Sequence, residues 1–167
     1  MSHIFWVRYY LIETLQITNC LKCKSSYEVE CIDVAIPIGI EQSLKQNLSH
    51  LINRYFEEEL IKDHVCTECQ SQCSMHTRNI KKVPSILLIH LKRYGYDGSS
   101  VKTVTTVNAD TELDLLENKY QLRAIIAHLG DTIDTGHYTC SIFDPSILCV
   151  FERHPGIKVS FNFISNF

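Results

Sequence analysis

Pro84-Ser85-Ile86-Leu87-Leu88-Ile89-His90-Leu91 is the stretch whose reading decides the fold. It is a short, almost unbroken run of Ile and Leu opened by a proline. That pattern predicts a strand buried on both faces, because an amphipathic helix would need more length and a polar face. His90, inside the run, reads as a core histidine with its hydrogen bonds satisfied. Upstream, Ser71 to Lys82 alternates weakly and predicts a strand or hairpin arm. Downstream, Gly95, Asp97, Gly98, Ser99 and Ser100 make a loop, and Val101 to Val107 is a further strand-like run rich in Val and Thr. Asp110 to Asn118 reads as a polar turn region, Tyr120 to Leu129 as a strand, and Gly130 to Gly136 as a connector into a strand that begins at His137.

Nearer the N-terminus, Ser26 to Ile38 predicts one strand, ended by Pro37 and Gly39. Ile4 to Val7 and Tyr9 to Ile12 predict one or two more, since Arg8 and Glu13 break the apolar stretch too early for a signal peptide or a membrane span. One helix is expected. Leu44, Leu48, Leu51, Ile52, Tyr55 and Phe56 recur at helical spacing, with Ser43 as N-cap and Gln46 completing a capping box. Several strands, one helix and no regular alternation between them give an α+β fold class with a largely antiparallel sheet.

The chain has 167 residues, 45% hydrophobic and 21% charged, enough for one domain with a core. Its net charge of −3 and the absence of a long basic run speak against nucleic acid and acidic membranes as partners. A zinc-ribbon nucleic-acid binder is the weakest of the functional readings for that reason. Lys81-Lys82 and Lys92-Arg93 are only short basic pairs beside apolar strands.

Of the eight cysteines, four form two Cys-x-x-Cys pairs: Cys20 with Cys23, and Cys66 with Cys69. Two residues between cysteines let both thiolates reach one ion from a tight turn, and two such turns complete a tetrahedral site. The expected cofactor is therefore a structural Zn2+, with Cys20, Cys23, Cys66 and Cys69 as its ligands. A strand and a helix fill the 42 residues, 24 to 65, between the pairs. A local rival set is Cys66, Cys69, Cys73 and His76, whose spacing is also ligand-like. Thiolates on a metal belong to a reducing compartment, so localisation is expected to be cytoplasmic or nuclear. A site closed by four thiolates is structural and leaves no open position for catalysis.

Gly136-His137-Tyr138-Thr139 carries the other chemical signal. His137 stands at the mouth of a strand behind a loop with glycine at both ends, where a histidine can serve as general base toward a thiol. His128, on the preceding strand, reads as structural.

Taken in order, these pieces resemble the ubiquitin-specific proteases, a family of papain-like deubiquitinating cysteine peptidases. The resemblance rests on Cys20-x-x-Cys23 followed by Lys24-Ser25-Ser26; on Tyr55-Phe56-Glu57-Glu58-Glu59-Leu60 before Cys66-x-x-Cys69; on Lys81 to Tyr94; on Tyr120 to Gly130; and on Gly136 to Thr139. It implies a hand-shaped α+β domain. Residues of about 15–83 would form zinc-ribbon fingers with an inserted helix, and about 84–145 a palm with the histidine box. Residues 146–167 would be a divergent tail. It also implies ubiquitin, or a ubiquitin-conjugated protein, as partner and isopeptide hydrolysis as the reaction, with His137 as general base.

The departures are as specific. The family's nucleophile lies in a Gly/Asn/Cys/Tyr-rich box on a thumb subdomain, and residues 1–19 contain no cysteine. Cys31, Cys73, Cys140 and Cys149 match no nucleophile position. Phe143-Asp144-Pro145 comes too early for the third triad residue, and Phe151-Glu152-Arg153-His154 matches poorly, so none is assigned. The expectation is a fingers-and-palm half of a catalytic domain, truncated, incomplete or spliced, lacking the thumb and inactive alone. The alternative is a non-catalytic ubiquitin-binding or scaffold module.

Overall fold

The computed structural model describes residues 8–41, 45–93, 103–130 and 135–143 with their side chains, and the backbone of 157–165. The strands are β1 (Ile12–Cys20), β2 (Ser26–Asp33), β3 (Ile36–Gly39), β4 (Lys45–Asn47), β5 (Glu59–Ile61), β6 (Ser74–Lys82), β7 (Ile86–Lys92), β8 (Thr106–Asn108), β9 (Glu112–Leu115), β10 (Asn118–Leu129), β11 (His137–Ile142) and β12 (Ile157–Ser165), with helix α1 at Leu48–Phe56. They form a four-stranded sheet in the order β2-β1-β6-β5 and a six-stranded sheet running β11-β10-β12-β7-β3, with β9 also on β10. All pairings in these two sheets are antiparallel except β3 with β7; a small parallel pair, β4 with β8, stands apart. The α+β, largely antiparallel expectation holds.

The decisive apolar run is a strand, but one with a single buried face. Leu87, Ile89 and Leu91 are buried, while the alternate positions Ile86 and Leu88 are only half-covered and His90 is exposed. This corrects both the two-faced burial and the core histidine. The run is apolar on its second side without being sealed there. The predicted strand from Ser26 to Ile38 is two strands in different sheets, broken by a bend at Val34-Ala35. Pro37 lies inside β3 instead of ending it. It is tolerated because β3 is the last strand of its sheet and has a side free of ladder bonds.

The helix starts later than its apolar stripe suggests. Gln46 sits in β4 opposite Val107, so the capping box does not form, and Asn47 takes the N-cap position without a side-chain cap bond. Ser43 and Leu44 lie outside the described residues. Within α1 the stripe behaves as expected: Leu48, Leu51 and Ile52 are buried, and the Tyr55 and Phe56 rings meet edge-on at 5.0 Å. The helix ends at Glu57, whose extended backbone turns its N–H onto the Arg54 carbonyl. Arg78 then ties α1 to the smaller sheet. Its guanidinium lies 5.0 Å above the Tyr55 ring, bonds the Tyr55 carbonyl and pairs with Glu59.

One core joins α1 to the larger sheet. Ile36 and Ile38, Leu48 and Ile52, Leu87, Ile89 and Leu91, and Tyr120 are at most 2% exposed within it. The Tyr120 hydroxyl, buried with them, donates to the Pro84 carbonyl at 2.7 Å. Residues read as a polar turn region contain β9: Leu113 and Leu115 are buried, and Leu116 in the left-handed region (φ 55°) turns the chain into β10. Of the run from Val101 to Val107, the described part enters only the short β8. At the N-terminus Tyr9 and Tyr10 form a turn, Ile4 to Val7 lie outside the described residues, and the first described strand is β1. Among the described residues no helix is long and apolar enough to cross a membrane.

Candidate metal centre and histidine site

The two Cys-x-x-Cys pairs lie at the same end of the smaller sheet and are built alike. In the first, Lys24 adopts a left-handed conformation (φ 65°) and donates its N–H to the Cys20 carbonyl at 3.0 Å, while the Cys20 N–H donates to the Ser25 carbonyl at 2.9 Å. In the second, Gln70 (φ 57°) donates to the Cys66 carbonyl and the Cys66 N–H to the Ser71 carbonyl, both at 2.9 Å. The turns are fastened to each other by the Leu21 N–H on the Cys73 carbonyl at 3.0 Å. In each turn the first cysteine is buried, Cys20 at 3% and Cys66 at 4% exposed, and the second lies nearer solvent.

All four sulfurs lie within 4.8 Å of one another. Cys20 Sγ is 3.6 Å from Cys69 Sγ, and Cys23 Sγ is 3.6 Å from Cys66 Sγ. A tetrahedron with metal–sulfur bonds of about 2.3 Å has edges of about 3.8 Å. The residues therefore fit a four-thiolate ion without rearrangement of the backbone. The rival set does not assemble among the described residues: His76 is buried in β6, with Nδ1 3.1 Å from the Thr18 hydroxyl.

The thiols are electrostatically unequal. The Ser25 hydroxyl first, then the Cys69 N–H, pull Cys66 down to about 6. Ser25 also lowers Cys23 through its hydroxyl and its backbone. On Cys69 the Ser71 N–H pulls downward, but burial and the three neighbouring sulfurs outweigh it and push the thiol up to about 12. A bound cation replaces the protons this crowd retains, so metal binding releases protons and weakens as pH falls. The sign follows from the directions. Above about 6 Cys66 is already a thiolate and fewer protons are displaced; below it Cys66 also holds one. The expected result is a plot of metal affinity against pH that steepens below about 6, read by competition with a chelator whose own protonation is corrected for. A pH-independent affinity would contradict thiolate ligation.

The histidine strand lies at the other sheet's edge. β11 pairs with β10 in a register that sets His137 opposite Leu129 and Tyr138 opposite His128. Cross-strand partners share a face and successive residues alternate, so the two histidines lie on opposite faces. His137 is exposed. His128 is 3% exposed, with its ring 4.9 Å from that of Tyr138, in keeping with a structural part. Gly136 leads into His137 with φ 151°, and a Cβ there would collide with the Leu129 carbonyl oxygen and the His128 ring. Gly130, at φ 142°, would bring a Cβ to 2.6 Å from the Thr135 carbonyl oxygen. Both glycines bounding the connector are thus required by close backbone approach.

Of the other cysteines, Cys31 is in β2 and Cys73 precedes β6, both in the smaller sheet's region. Cys140 shares β11 with His137 but stands three positions on, so alternation turns it to the other face. Cys149 and the segment from Asp144 to Pro155 lie outside the described residues, and with them every position weighed for the third triad residue except Phe143. Sequence reasoning missed Ser25, whose hydroxyl reaches sulfurs of both turns. A signal was present, since each pair continues as Cys-x-x-Cys-x-Ser: Cys23-Lys24-Ser25 and Cys69-Gln70-Ser71.

The sequence profile described as ubiquitin carboxyl-terminal hydrolase matches residues 12–151, most of the chain. The chain belongs to that family. Among its curated relatives, ubiquitin carboxyl-terminal hydrolase 12 of Salmo salar is 27% identical over 168 residues, covering 90% of this chain and 44% of the relative. Ubiquitin carboxyl-terminal hydrolase 46 of Caenorhabditis elegans is 28% identical over 153 residues, 81% of this chain and 35% of the relative. Among solved structures, the yeast SAGA DUB module superposes with a TM-score of 0.75 at 19% identity. A SAGA DUB module bound to monoubiquitin superposes at 0.70 and 18%; each comparison covers 95% of this chain and 41% of the other. These structures share the ubiquitin carboxyl-terminal hydrolase fold seen here. The chain spans less than half the length of these relatives and structures.

Proposed function

We propose that the chain supplies the ubiquitin-gripping and proton-accepting part of a cysteine-type ubiquitin hydrolase. On this reading the smaller sheet is the fingers, drawn from about 15–83, a stretch that also lends β3 and α1 to the larger sheet and its core, and a structural Zn2+ on Cys20, Cys23, Cys66 and Cys69 holds it. The larger sheet is the palm (about 84–145), into which residues of the 146–167 segment add β12. The ion would fix the fingers; it has no vacant position for substrate. His137 would take the proton of a cysteine thiol as that sulfur attacks the isopeptide carbonyl, then return it to the departing lysine amine. Ubiquitin or a ubiquitin conjugate is the partner. A reducing compartment, cytoplasm or nucleus, suits the free thiols.

The observation that carries the reading is the pairing, in one family-matched stretch, of a preformed four-thiol site with a histidine strand whose entry is fixed by Gly136. The described residues give His137 no thiol on its own face, so the chain by itself is expected not to hydrolyse conjugates. That same observation favours the second reading, a non-catalytic ubiquitin-binding module. Two measurements separate the possibilities. The purified chain is incubated with ubiquitin carrying a C-terminal electrophile and weighed intact, and labelled ubiquitin is titrated in parallel. The expected outcome is binding without an adduct. One adduct, mapped to a single cysteine, overturns the inactivity, and no binding at high micromolar chain overturns the ubiquitin grip. Hydrolysis after adding a separate segment that carries the cysteine box expected of the family would favour the enzyme over the scaffold.

A further inference from the structure

The two cysteine turns share one backbone pattern, yet the side chains around them differ. Ser25 Oγ lies 3.1 Å from Cys23 Sγ in its own turn and 3.4 Å from Cys66 Sγ in the other. Among the described residues no side-chain bond from Ser71 makes the reciprocal reach. We infer that Ser25 is a positioning residue of the metal centre, its hydroxyl standing at the seam within reach of both turns and donating to Cys23 to hold that ligand at coordinating distance beside Cys66. The inference rests on the reading of the four thiols as a metal site and concerns how that site keeps its ion.

Three features of the molecule support it. Ser25 is fixed before any ion arrives, because its carbonyl accepts the Cys20 N–H and the left-handed Lys24 beside it sets the turn. Holding the hydroxyl in place therefore adds little ordering cost on binding. The pair it bridges unites the exposed Cys23 with the buried Cys66, one ligand from each half of the site. Cys23 is the ligand with least protein around it, the one from which an ion would first detach toward a competing chelator. Finally, a hydroxyl has one proton to donate. Once both sulfurs are thiolates it can donate to only one, and Cys23 at 3.1 Å is the nearer. Hydrogen bonds to a ligating sulfur orient the ligand, and loss of such an outer partner typically weakens metal affinity by roughly 10–100-fold.

The test uses the whole chain with cobalt(II) as a spectroscopic probe and zinc for release kinetics. Wild type, S25A and S25T are loaded, their thiolate-to-cobalt absorption is recorded, and zinc transfer to a coloured chelator is timed. The expected result is the same four-thiolate spectrum in all three, with zinc release about tenfold or more faster in S25A and close to wild type in S25T. Equal release from S25A and wild type would overturn the inference while leaving the metal site standing. A wild-type chain that gives no four-thiolate cobalt spectrum removes the metal reading itself, and the inference with it. Should S25A fail to load, S25T decides: loading like wild type assigns the effect to the hydroxyl, and failure of S25T as well overturns it.

Discussion

Replacing Cys66 with serine is expected to empty the metal centre and to melt the end of the smaller sheet. Cys66 is 4% exposed, its N–H and carbonyl close the second turn, and its sulfur faces Cys23 across the seam. The turns are anchored chiefly through β1, β2 and β6, and short β5 adds little on its side. A four-thiolate zinc site contributes on the order of 10 kcal/mol to the folding of the segments it joins. A serine leaves three thiolates and a buried hydroxyl, so several kcal/mol are lost even if the ion lingers. Zinc per chain should fall from about one to near zero, and the melting temperature by roughly 10 °C or more, since each kcal/mol moves a domain of this size by about 2–4 °C. Chelation of the wild type should do the same. Cys31→Ser, on an edge strand outside the cluster, provides the contrast and should leave metal content unchanged, with stability within about 0.5 kcal/mol. If Cys66→Ser melts with the wild type and neither holds metal, the four thiols are not a metal site.

Gly136→Ala is expected to be the most damaging change on the histidine side. Its backbone lies where L-residues are strained (φ 151°), and its Cβ would enter the space of the Leu129 carbonyl and the His128 ring. The carbonyl belongs to the β10 ladder and the ring is packed on Tyr138, so neither is a loose side-chain end. Strain of this kind costs about 1–3 kcal/mol before the collision is counted. We expect a loss of about 3 kcal/mol or more in urea denaturation, with hydrogen exchange accelerating first in β11. Gly39→Ala is the control: nothing lies within 4 Å of its Cβ position, and the change should be within about 1 kcal/mol. Adding His128→Ala to Gly136→Ala should recover part of the loss but not all, because the Leu129 carbonyl remains. Equal stability of the two alanine variants would show that the connector tolerates a side chain and that His137 is not held by it.

What could be read in advance follows from how strongly each feature constrains sequence. A tetrahedral ion would demand thiolates two residues apart in tight turns, so the clustering of Cys20, Cys23, Cys66 and Cys69 was legible from their spacing alone. The core strands were legible where burial is deep, as at Leu87, Ile89 and Leu91. Strand β1 was harder, because the smaller sheet is only partly covered and Thr14 occupies a buried position that a hydrophobic scan passes over. Strand β9 hid for a similar reason: Leu113 and Leu115 alternate with acids over only four residues. The N-terminal turn of the helix was lost to a long-range partner, since pairing of Gln46 with Val107 outcompetes a local cap. Ser25 could be placed only once the fold had brought the second turn beside it. Strand β12 was visible as alternation of Ile157, Val159, Phe161 and Phe163 with polar residues, but the family resemblance stopped short of it and it went unread.

That last strand bears on the order of events as the chain is made. The smaller sheet is complete in sequence by Lys82, so its strands can meet while the rest is still being synthesised. The larger sheet cannot. β10 and β7 are not neighbours; β12 lies between them and pairs with both, opposite residues from Tyr120 to Leu129 on one side and from Ile86 to His90 on the other. Until residues 157–165 leave the ribosome, two central strands stand with unsatisfied backbone edges, the kind that pair with the wrong chain. Nascent chains caught before that point, or molecules cut ahead of Ile157, would carry a finished four-cysteine half and a split sheet, and should depend on chaperones in a way the 167-residue chain does not.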